Sequence, residues 1–509
     1  MTAAAGVILV LGAAGARGES LAEAIALAYQ TNPTLQSQRA QVRGVDEGYV
    51  QARAALGPTA ALQATAAYDQ TRFGYASPSA TNNGQVQLNV SQALYTGGRE
   101  ALGVSAARAQ IAAARQSLRA TEGNVILAVI QAYADVIRDA KALTVRAKNL
   151  KVLADQVTQA RARVRDGELT RTDVAQAEAQ LASERALYST AQGQLQLSRA
   201  AYATVVGRDP GDLDPMTALP GLPATIDLAF DEAADQSPEL TQSKYAEIGS
   251  RDRVAVARAA HRPTITLNLT AGYTGSLVPF SANQVERVVM GQAVISQPLF
   301  TSGLIGSQIR QALDQNTGDR IAIEITRRAM VQNVANAWNQ MLVSRSNVGF
   351  QAENIRAAEI AFRGMTIEYR EGLRATLDVL IAEETLRDAE LSLLAAEHDQ
   401  YVAEATLLRV IGRLEGPALL PGLPRYDVTA NLHRVENRGA VPWSSLIETL
   451  DAMGAPNAGQ GPISAPRAMD QPSGLAPPNT NPVTDGLVTS LRTAPIPGTV
   501  GPEPPVQLP

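Results

Sequence analysis

The segment SQALYTGG at residues 91–98 returns as SQPLFTSG at residues 296–303, at an offset of 205 positions. The match extends without a gap from residues 33–207 onto residues 238–412. Chance similarity between alanine-rich helices would drift in register over such a distance. The unbroken offset therefore indicates two tandem copies of one structural unit, with the same element lengths in each copy.

Each unit contains two segments in which apolar and polar residues alternate, after a proline that ends a helical stretch. In the second unit, for example, Ile265, Leu267 and Leu269 are separated by polar residues. Period two predicts β-strands, and the predicted strands are about residues 59–70, 85–95, 264–274 and 287–300. Strands of this length that end in tyrosine are typical of membrane strands, but a soluble hairpin with one wet face gives the same alternation.

Very long helices follow the strands in both units. Apolar residues recur every seven positions in the first unit, at Val129, Val136, Leu143, Leu150, Val157 and Val164. A second set, which begins with Ile126 and Tyr133, lies three positions earlier. This is the heptad pattern of a coiled coil. Gly167 breaks the pattern before a return helix, and Gly372 does so in the second unit, so we predict long helical hairpins at 99–207 and 304–412.

Composition excludes several classes of protein. Lys+Arg 44 against Asp+Glu 49 gives a net charge of −5, which argues against a nucleic-acid partner. The chain has no cysteine, so it has no disulfides and no cysteine-ligated metal. The histidines, His261, His398 and His433, are far apart in sequence. No G-x-S-x-G, H-E-x-x-H or P-loop pattern occurs, so we predict neither an enzyme nor a cofactor.

Four strands per chain are too few to close a barrel by themselves. An open sheet edge is not viable in lipid, because its backbone hydrogen-bonding groups have no partners there. An eight-stranded barrel has an interior filled by side chains. If the strands lie in a membrane, the protein must therefore oligomerise, and a conduit needs at least three chains.

Several short motifs of this chain resemble the TolC family of outer-membrane factors. They are the order Leu-x-Glu-Ala…Asn-Pro-x-Leu at residues 21–35, the Gln-x-Leu-(Tyr/Phe)-x-x-Gly segments, and Gly-x-x-x-x-x-Asp-Val at both hairpin ends. Together with the duplicated strand–strand–hairpin unit, the likeness covers roughly residues 20–415. It implies a mixed α/β membrane protein, a homotrimer with a twelve-stranded outer-membrane β-barrel that continues into a periplasmic α-helical tunnel.

The resemblance also implies a role and a place in the cell. Such proteins are passive exit ducts in the outer membrane of Gram-negative bacteria, in contact with its lipid, with a large periplasmic portion. They dock onto an inner-membrane transporter through a periplasmic adaptor protein. No nucleic acid and no metal take part.

The resulting interpretation divides the whole chain. Residues 1–16, an apolar run that ends in Ala14-Gly15-Ala16, form a signal peptide whose basic start is missing, or alternatively a buried N-terminal helix. The remaining segments are the first repeat (17–207), an equatorial linker (208–226), the second repeat (227–412), an equatorial segment (413–455) and a proline-rich disordered tail (456–509).

The hairpin ends would carry the mechanism. By resemblance, Tyr369 and Arg374 on the inner hairpin match the family's gating residues, and Thr172 and Asp173 on the outer hairpin match their partners. Asp378 matches an aspartate whose threefold ring guards the constriction. Asp173 and Asp378 can also be explained as helix-capping acids, and both roles can hold at once.

Two further expectations concern the same region. A second ring acid of the family corresponds to Ile381 here, so the ring is thinner unless Glu383 or Glu384 substitutes. The tips, Gly167, Leu169, Gly372 and Leu373, would contact the adaptor, or would only turn the chain.

The cargo is predicted from two short resemblances. The stretch that begins with Ser20 and the Gly-Arg-Asp-Pro segment at 207–210 resemble the type I secretion subgroup, so we predict protein export. Multidrug efflux is the alternative within the transport class. A coiled-coil scaffold or adhesin is the alternative from another class, but it does not explain paired strands at matched positions in each copy.

Overall fold

The computed structural model describes residues 18–72, 74–75, 79–278, 282–416 and 425–455. The predicted signal peptide at 1–16 and the predicted tail at 456–509 lie outside these residues.

The two halves of the chain contain the same elements in the same order, as the duplication predicts. The first half consists of α1 (Leu21–Thr31), α2 (Pro33–Ala54), β1 (Pro58–Thr71), β2 (Ser79–Tyr95), α3 (Arg99–Arg165) and α4 (Arg171–Val206). The second consists of α5 (Ile226–Gln236), α6 (Pro238–Ala259), β3 (Thr264–Ser276), β4 (Glu286–Ser296), α7 (Leu304–Arg370) and α8 (Thr376–Val410). Two short helices follow, α9 (Ala430–Val435) and α10 (Ser444–Ala452).

The helical stretch before each strand pair is two helices rather than one. The side chain of Asn32 accepts hydrogen bonds from the backbone N–H groups of Thr34 and Leu35, at 2.9 and 3.4 Å. Ser237 accepts one from Leu240 at 3.3 Å. A proline stands at the first position of the second helix in both halves, where its missing N–H costs nothing. The Asn-Pro and Ser-Pro pairs therefore restart the helix.

The four strands form one antiparallel sheet in the order β1-β2-β3-β4. Strand β2 begins at Ser79, six residues before the predicted start at 85. Strand β4 ends at Ser296, so the predicted strand at 287–300 was too long. Pro298 explains the early end, because proline has no N–H to donate to a neighbouring strand.

The two faces of this sheet differ in polarity. Leu62 pairs with Leu88, Leu88 with Ala271, and Ala271 with Val289, so these apolar side chains share one face. That face is exposed: Leu62 is 74% and Val289 66% accessible. A soluble hairpin would bury this face against a core, so the exposure favours the membrane interpretation of the alternation.

The opposite face is polar on β2 and β3, although β4 adds Val288, Met290 and Val294 to it, and it carries hydrogen bonds between strands. The Ser91 hydroxyl donates to Oδ1 of Asn268 at 2.8 Å, and the Thr270 hydroxyl donates to Oδ1 of Asn89 at 2.9 Å. Both bonds join β2 to β3, the strands that come from different repeats. This polar face is therefore suited to water.

The long helices pack as hairpins, with α3 against α4 and α7 against α8. Both α3 and α7 contain 67 residues. Val129, Val136 and Val157 of the first predicted heptad set are buried. The second set is confirmed at Ile126 and Tyr133, which are buried, and at Ala154, which packs against the small core cluster near the tips, but it is wrong between them.

Lower along α3, Ala140 and Ala147 of the second set are exposed. The buried companions are Asp139, Leu153 and Ala160, three positions after the first set. The buried face of α3 changes along the helix because α1 also packs on α3 near Tyr133. The Tyr133 hydroxyl donates there to the carbonyl of Glu19. Below that level, α1 no longer covers this face of α3.

In the described ranges of the chain, none of the helices is both long enough and apolar enough to cross a membrane.

The junction between β2 and α3 is closed by a residue from the far end of the chain. Asp451 on α10 is fully buried, and its Oδ1 accepts hydrogen bonds from the backbone N–H groups of Thr96 and Gly98, at 2.6 and 3.1 Å. Its Oδ2 accepts one from the N–H of Ala101 at 3.1 Å. Asp451 thus caps the N-terminus of α3, which begins after a glycine with no side chain to do so.

Close backbone packing fixes this cap in place. Gly98 has φ 81°, and a Cβ there would collide with the backbone of Gly454. The Arg262 guanidinium at the end of α6 donates to the carbonyls of Gly97 and Gly454. The segment that carries Asp451 is therefore held between the two repeats.

We predict that Asp451→Ala lowers the free energy of unfolding by about 2–4 kcal/mol, because it leaves several buried N–H groups without an acceptor. Asp451→Asn keeps one acceptor oxygen and should cost less. Exposed Asp155→Ala on α3 is the control, with little expected effect. Thermal unfolding in detergent measures all three, and equal midpoints for Asp451→Ala and the control would contradict the capping role.

Candidate functional site

The two hairpin tips have the same backbone geometry. Gly167 and Gly372 take up left-handed conformations, with φ 79° and 72°. In each tip the residue after the glycine donates its N–H back to the helix: Glu168 to Arg163, and Leu373 to Glu368, both at 2.9 Å. These are glycine-ended helices in which the last carbonyls are satisfied.

The tip residues differ in exposure. Leu373 is 74% accessible, whereas Leu169 is half-buried. Both glycines are exposed. The tips therefore offer a surface at the end of the molecule, and their role in adaptor contact stays a prediction.

Asp173 forms a capping box with Thr170 at the start of α4. The N–H of Asp173 donates to the Thr170 hydroxyl oxygen at 3.3 Å, and the Thr170 N–H donates to Oδ2 of Asp173 at 2.9 Å. The Thr170 hydroxyl donates to the same oxygen at 2.7 Å. These bonds hold the pKa of Asp173 below its usual range. The capping role proposed for this residue is therefore present.

Asp378, its counterpart on the second hairpin, has no such box. Ala375 stands where Thr170 stands in the first repeat, and makes no side-chain cap. Asp378 Oδ2 lies 4.0 Å from the Arg374 guanidinium, and its side chain is 39% accessible. The duplicated acids thus have different surroundings: Asp173 is bound to the start of its own helix, whereas Asp378 lies beside Arg374.

Tyr369 pairs with Arg163 of the first hairpin. The Arg163 guanidinium donates to the Tyr369 hydroxyl at 2.6 Å and lies 5.4 Å from the centre of its ring. Arg374, in the turn between α7 and α8, donates to Glu368 near the end of α7 at 2.8 Å. Sequence reasoning missed Arg163, whose only signal was a basic residue in the last turn of α3.

Within one protomer, the predicted contacts between the gating residues Tyr369 and Arg374 and their partners Thr172 and Asp173 are not formed. Among the contacts of the described residues, Tyr369 and Arg374 make none to Thr172 or Asp173. Thr172 is exposed on the surface of α4. Contacts of these four residues between protomers stay a prediction.

The two acids considered as substitutes for Ile381 point in different directions. Glu383 is buried and accepts a hydrogen bond from Gln156 of α3 at 2.7 Å, and burial raises its pKa. Glu384 is about half exposed, and accepts one from Gln180 of α4 at 3.3 Å. Of the two acids, Glu384 is the more exposed, and its role as a ring acid stays a prediction.

Polar contacts join α8 to the first hairpin along most of its length. From the tip upward they are Glu383–Gln156, Glu384–Gln180, Arg387–Glu184, His398–Asp135 and Arg409–Asn124. No sequence pattern revealed these pairs, because each joins helices more than 200 residues apart. They determine how the first and second hairpins sit relative to each other.

His398 is the titratable member of this series near neutral pH. Its Nε2 lies 3.0 Å from Asp135 on α3, and its Nδ1 lies 3.0 Å from Asp399. Burial and Arg138 oppose a charge on the ring, but the two carboxylates outweigh them, so the pKa of His398 is raised. When it is protonated, the ring forms an ion pair with Asp135 that links the two hairpins.

Comparisons with known proteins agree with this architecture. A family model described as outer membrane efflux protein matches residues 24–208 and again 229–413, in register with the two repeats. The outer membrane efflux protein BepC of Brucella suis biovar 1 (strain 1330) is 33% identical over 429 residues, 84% of this chain and 93% of BepC. The outer membrane protein TolC of Escherichia coli (strain K12) is 24% identical over 434 residues, 81% of this chain and 87% of TolC.

Among solved structures, the Campylobacter jejuni CmeC outer membrane channel has the same fold. Its TM-score is 0.69 at 14% identity, over 83% of this chain and 90% of CmeC. The fold class predicted from sequence is therefore confirmed.

We predict that His398→Gln destabilises the protein more at pH 5.5 than at pH 8.5. A raised pKa means that the charged ring stabilises the folded state below its unfolded pKa of about 6.5, and that this contribution is lost as the pH rises through the folded pKa. Thermal unfolding at both pH values is the measurement, with exposed His261→Gln as the control. A loss of thermal stability that is the same at both pH values would show that His398 acts by packing alone.

Proposed function

The chain belongs to the outer membrane efflux protein family, and from this premise we propose that it is the outer-membrane exit duct of a tripartite export system. It is an outer-membrane protein with a large periplasmic portion. The duct is passive: it conducts substrate that an inner-membrane transporter delivers through a periplasmic adaptor.

The observation that carries the proposal is the sheet with one exposed apolar face and two open edges. In the described sheet, β1 and β4 each have a neighbour on one side only. In lipid such edges must pair, and the simplest closure joins β4 of one chain to β1 of the next. Three chains give twelve strands, with the apolar face toward lipid and the polar face around water.

The hairpins extend this ring into the periplasm. A helix of 67 residues is about 100 Å long at 1.5 Å per residue. Each chain contributes two hairpins, α3 with α4 and α7 with α8. Three chains therefore contribute six hairpins, and these form the wall of a tunnel. Gly167, Leu169, Gly372 and Leu373 lie at its far end, where we propose that the adaptor binds.

The cargo is the finer part of the proposal. Type I protein secretion was predicted from the stretch at Ser20 and from residues 207–210, and both have structural roles: Ser20 forms a capping box with Glu23, and Gly207 is the left-handed residue after α4. The relative BepC is named an outer membrane efflux protein, which favours the efflux alternative over protein export. Deleting the protein separates the two, since loss of export removes a secreted protein from the medium, whereas loss of efflux lowers drug resistance.

The gate is proposed to lie between protomers. Tyr369 and Arg374 on the inner hairpin would reach Thr172 and Asp173 across a protomer boundary, and three copies of Asp378 would form the constriction ring. The exposed side chains of Arg374 and Thr172 support this, because they are available to a neighbour.

The membrane proposal is tested by mass and conductance. We predict that the detergent-solubilised protein has the mass of a trimer and forms pores in planar bilayers, because the open edges of β1 and β4 must find partners. A monomeric mass would contradict the closed barrel. Truncation after Ala455, which preserves the Asp451 cap, should leave the trimer intact.

The gate is tested by the double variant Arg374→Ser, Tyr369→Phe. We predict a several-fold rise in mean single-channel conductance without loss of the trimer. The variant removes the contacts that close the periplasmic end of the tunnel, but it keeps the packing of the long helices. Unchanged conductance would mean that packing alone closes the mouth. The companion variant Asp378→Ala removes a ring of charge rather than a latch, so it should weaken block by multivalent cations instead.

A further inference from the structure

A buried layer of charge crosses the hairpins between two apolar cores. The main core surrounds Tyr133 and Tyr202, far from the tips. A small separate cluster, made by Leu153, Val157, Ala177, Leu181 and Leu380, lies closer to the tips. Arg146, Glu184 and Arg387 lie beside this small cluster, on the side toward the main core.

Glu184 has one partner in each hairpin. It is only 1% accessible. Its Oε2 accepts a hydrogen bond from Nη1 of Arg387 on α8 at 2.8 Å, and its Oε1 lies 3.5 Å from Nη1 of Arg146 on α3. The first contact joins the two hairpins, and the second stays within the first hairpin.

Arg387 is arranged in the same way. It is 5% accessible. Besides Glu184 of the first hairpin, its Nη2 contacts two acids on its own helix, Asp388 at 3.0 Å and Glu384 at 3.4 Å. Each member of the cross-hairpin pair therefore has a second partner of opposite charge that would move with it.

This double arrangement bears on how the hairpins can separate. A buried ion that loses its partner is strongly destabilised, so a simple buried pair resists separation. Here Glu184 would keep Arg146, and Arg387 would keep Glu384 and Asp388. Separation of α8 from α4 would therefore leave neither charge uncompensated.

We propose that Glu184 and Arg387 form an exchangeable clamp that positions the inner hairpin against the outer one. The clamp is closed when Arg387 binds Glu184. It is open when Glu184 is held by Arg146 and Arg387 by the two acids of α8. It lies about 20 Å from the tip at Gly372, measured along α8, and the hairpin ends separate below it. This role rests on the proposed function, which it deepens by naming the residues that control the gate from within each protomer.

A charged layer with a purely structural role would give a different pattern of variant effects. If the layer only holds the coil together, then loss of Arg146 and loss of Arg387 should both loosen it. In an exchangeable clamp, loss of Arg387 favours the open form, whereas loss of Arg146 removes the partner that the open form needs. The two arginine variants should therefore act in opposite directions.

The absence of cysteine from the chain permits a direct test. Gln156→Cys and Glu383→Cys place one thiol on each hairpin, at side chains that are in contact. Glu383 also interacts electrostatically with Glu184 and Arg387, so every variant is compared in this same double-cysteine background. The initial rate of crosslinking by a short bismaleimide, in the full-length protein in detergent, then reports how close the hairpins are. This pair replaces no clamp residue.

We expect Arg387→Gln and the nearly isosteric Glu184→Gln to lower this rate at least two-fold, and Arg146→Gln to raise it. Arg387→Lys keeps the charge and should stay near the parent rate. Arg185→Gln, on the exposed face of α4 beside Glu184, is the matched control and should have no effect. A change in the same direction for Arg146→Gln and Arg387→Gln, or no change for either, would overturn the clamp.

Bilayer recordings separate this inference from the function on which it rests. Arg387→Gln should raise the open probability, and Arg146→Gln should lower it in the Arg374→Ser, Tyr369→Phe background. A parent protein that forms no pore overturns the proposed function. Pores whose open probability is indifferent to both arginine variants overturn the clamp while the duct stands.

Discussion

Unsatisfied backbone groups along the outer edges of β1 and β4 are the constraint on which the architecture depends. A four-stranded sheet with one apolar and one polar face can neither bury its apolar side within the described chain nor close on itself. Lipid satisfies the apolar face but makes the open edges intolerable. Both demands are met if the sheet continues into identical sheets. The tandem repeat makes such a ring nearly regular, because β3 and β4 copy β1 and β2.

The repeats differ where function is proposed, although their backbones match. Thr170 gives the first hairpin a capping box that occupies Asp173, whereas Ala375 leaves Asp378 without one. Gly98 in the first junction is covered by the segment that carries Asp451, whereas its counterpart Gly303 has open space around it. Duplication thus supplied two equal frameworks, and single substitutions gave the inner and outer hairpins different chemistry.

Periodicity determines what the sequence could predict. The strands and long hairpins were predictable because period two and period seven persist over many residues and occur twice. Local chemistry displaced the boundaries: Pro298 ended β4 early, and Asn32 restarted a helix. The contacts at Arg163, Glu184 and Asp451 were not predictable, because each joins segments far apart in sequence and carries no local pattern. Charged residues at buried coiled-coil positions were the one available signal for the layer around Glu184.

The cap supplied by Asp451 has a consequence for the order in which the protein is completed. The helix that it caps begins at Arg99, some 350 residues earlier in the chain. A growing chain that has emerged as far as the second repeat still lacks this carboxylate, so the N–H groups of Thr96, Gly98 and Ala101 are left without their acceptor. The junction between β2 and α3 can therefore be completed only after the chain has been made as far as Asp451. A product that ends before this residue has its structural defect in the first repeat, far from the point of termination.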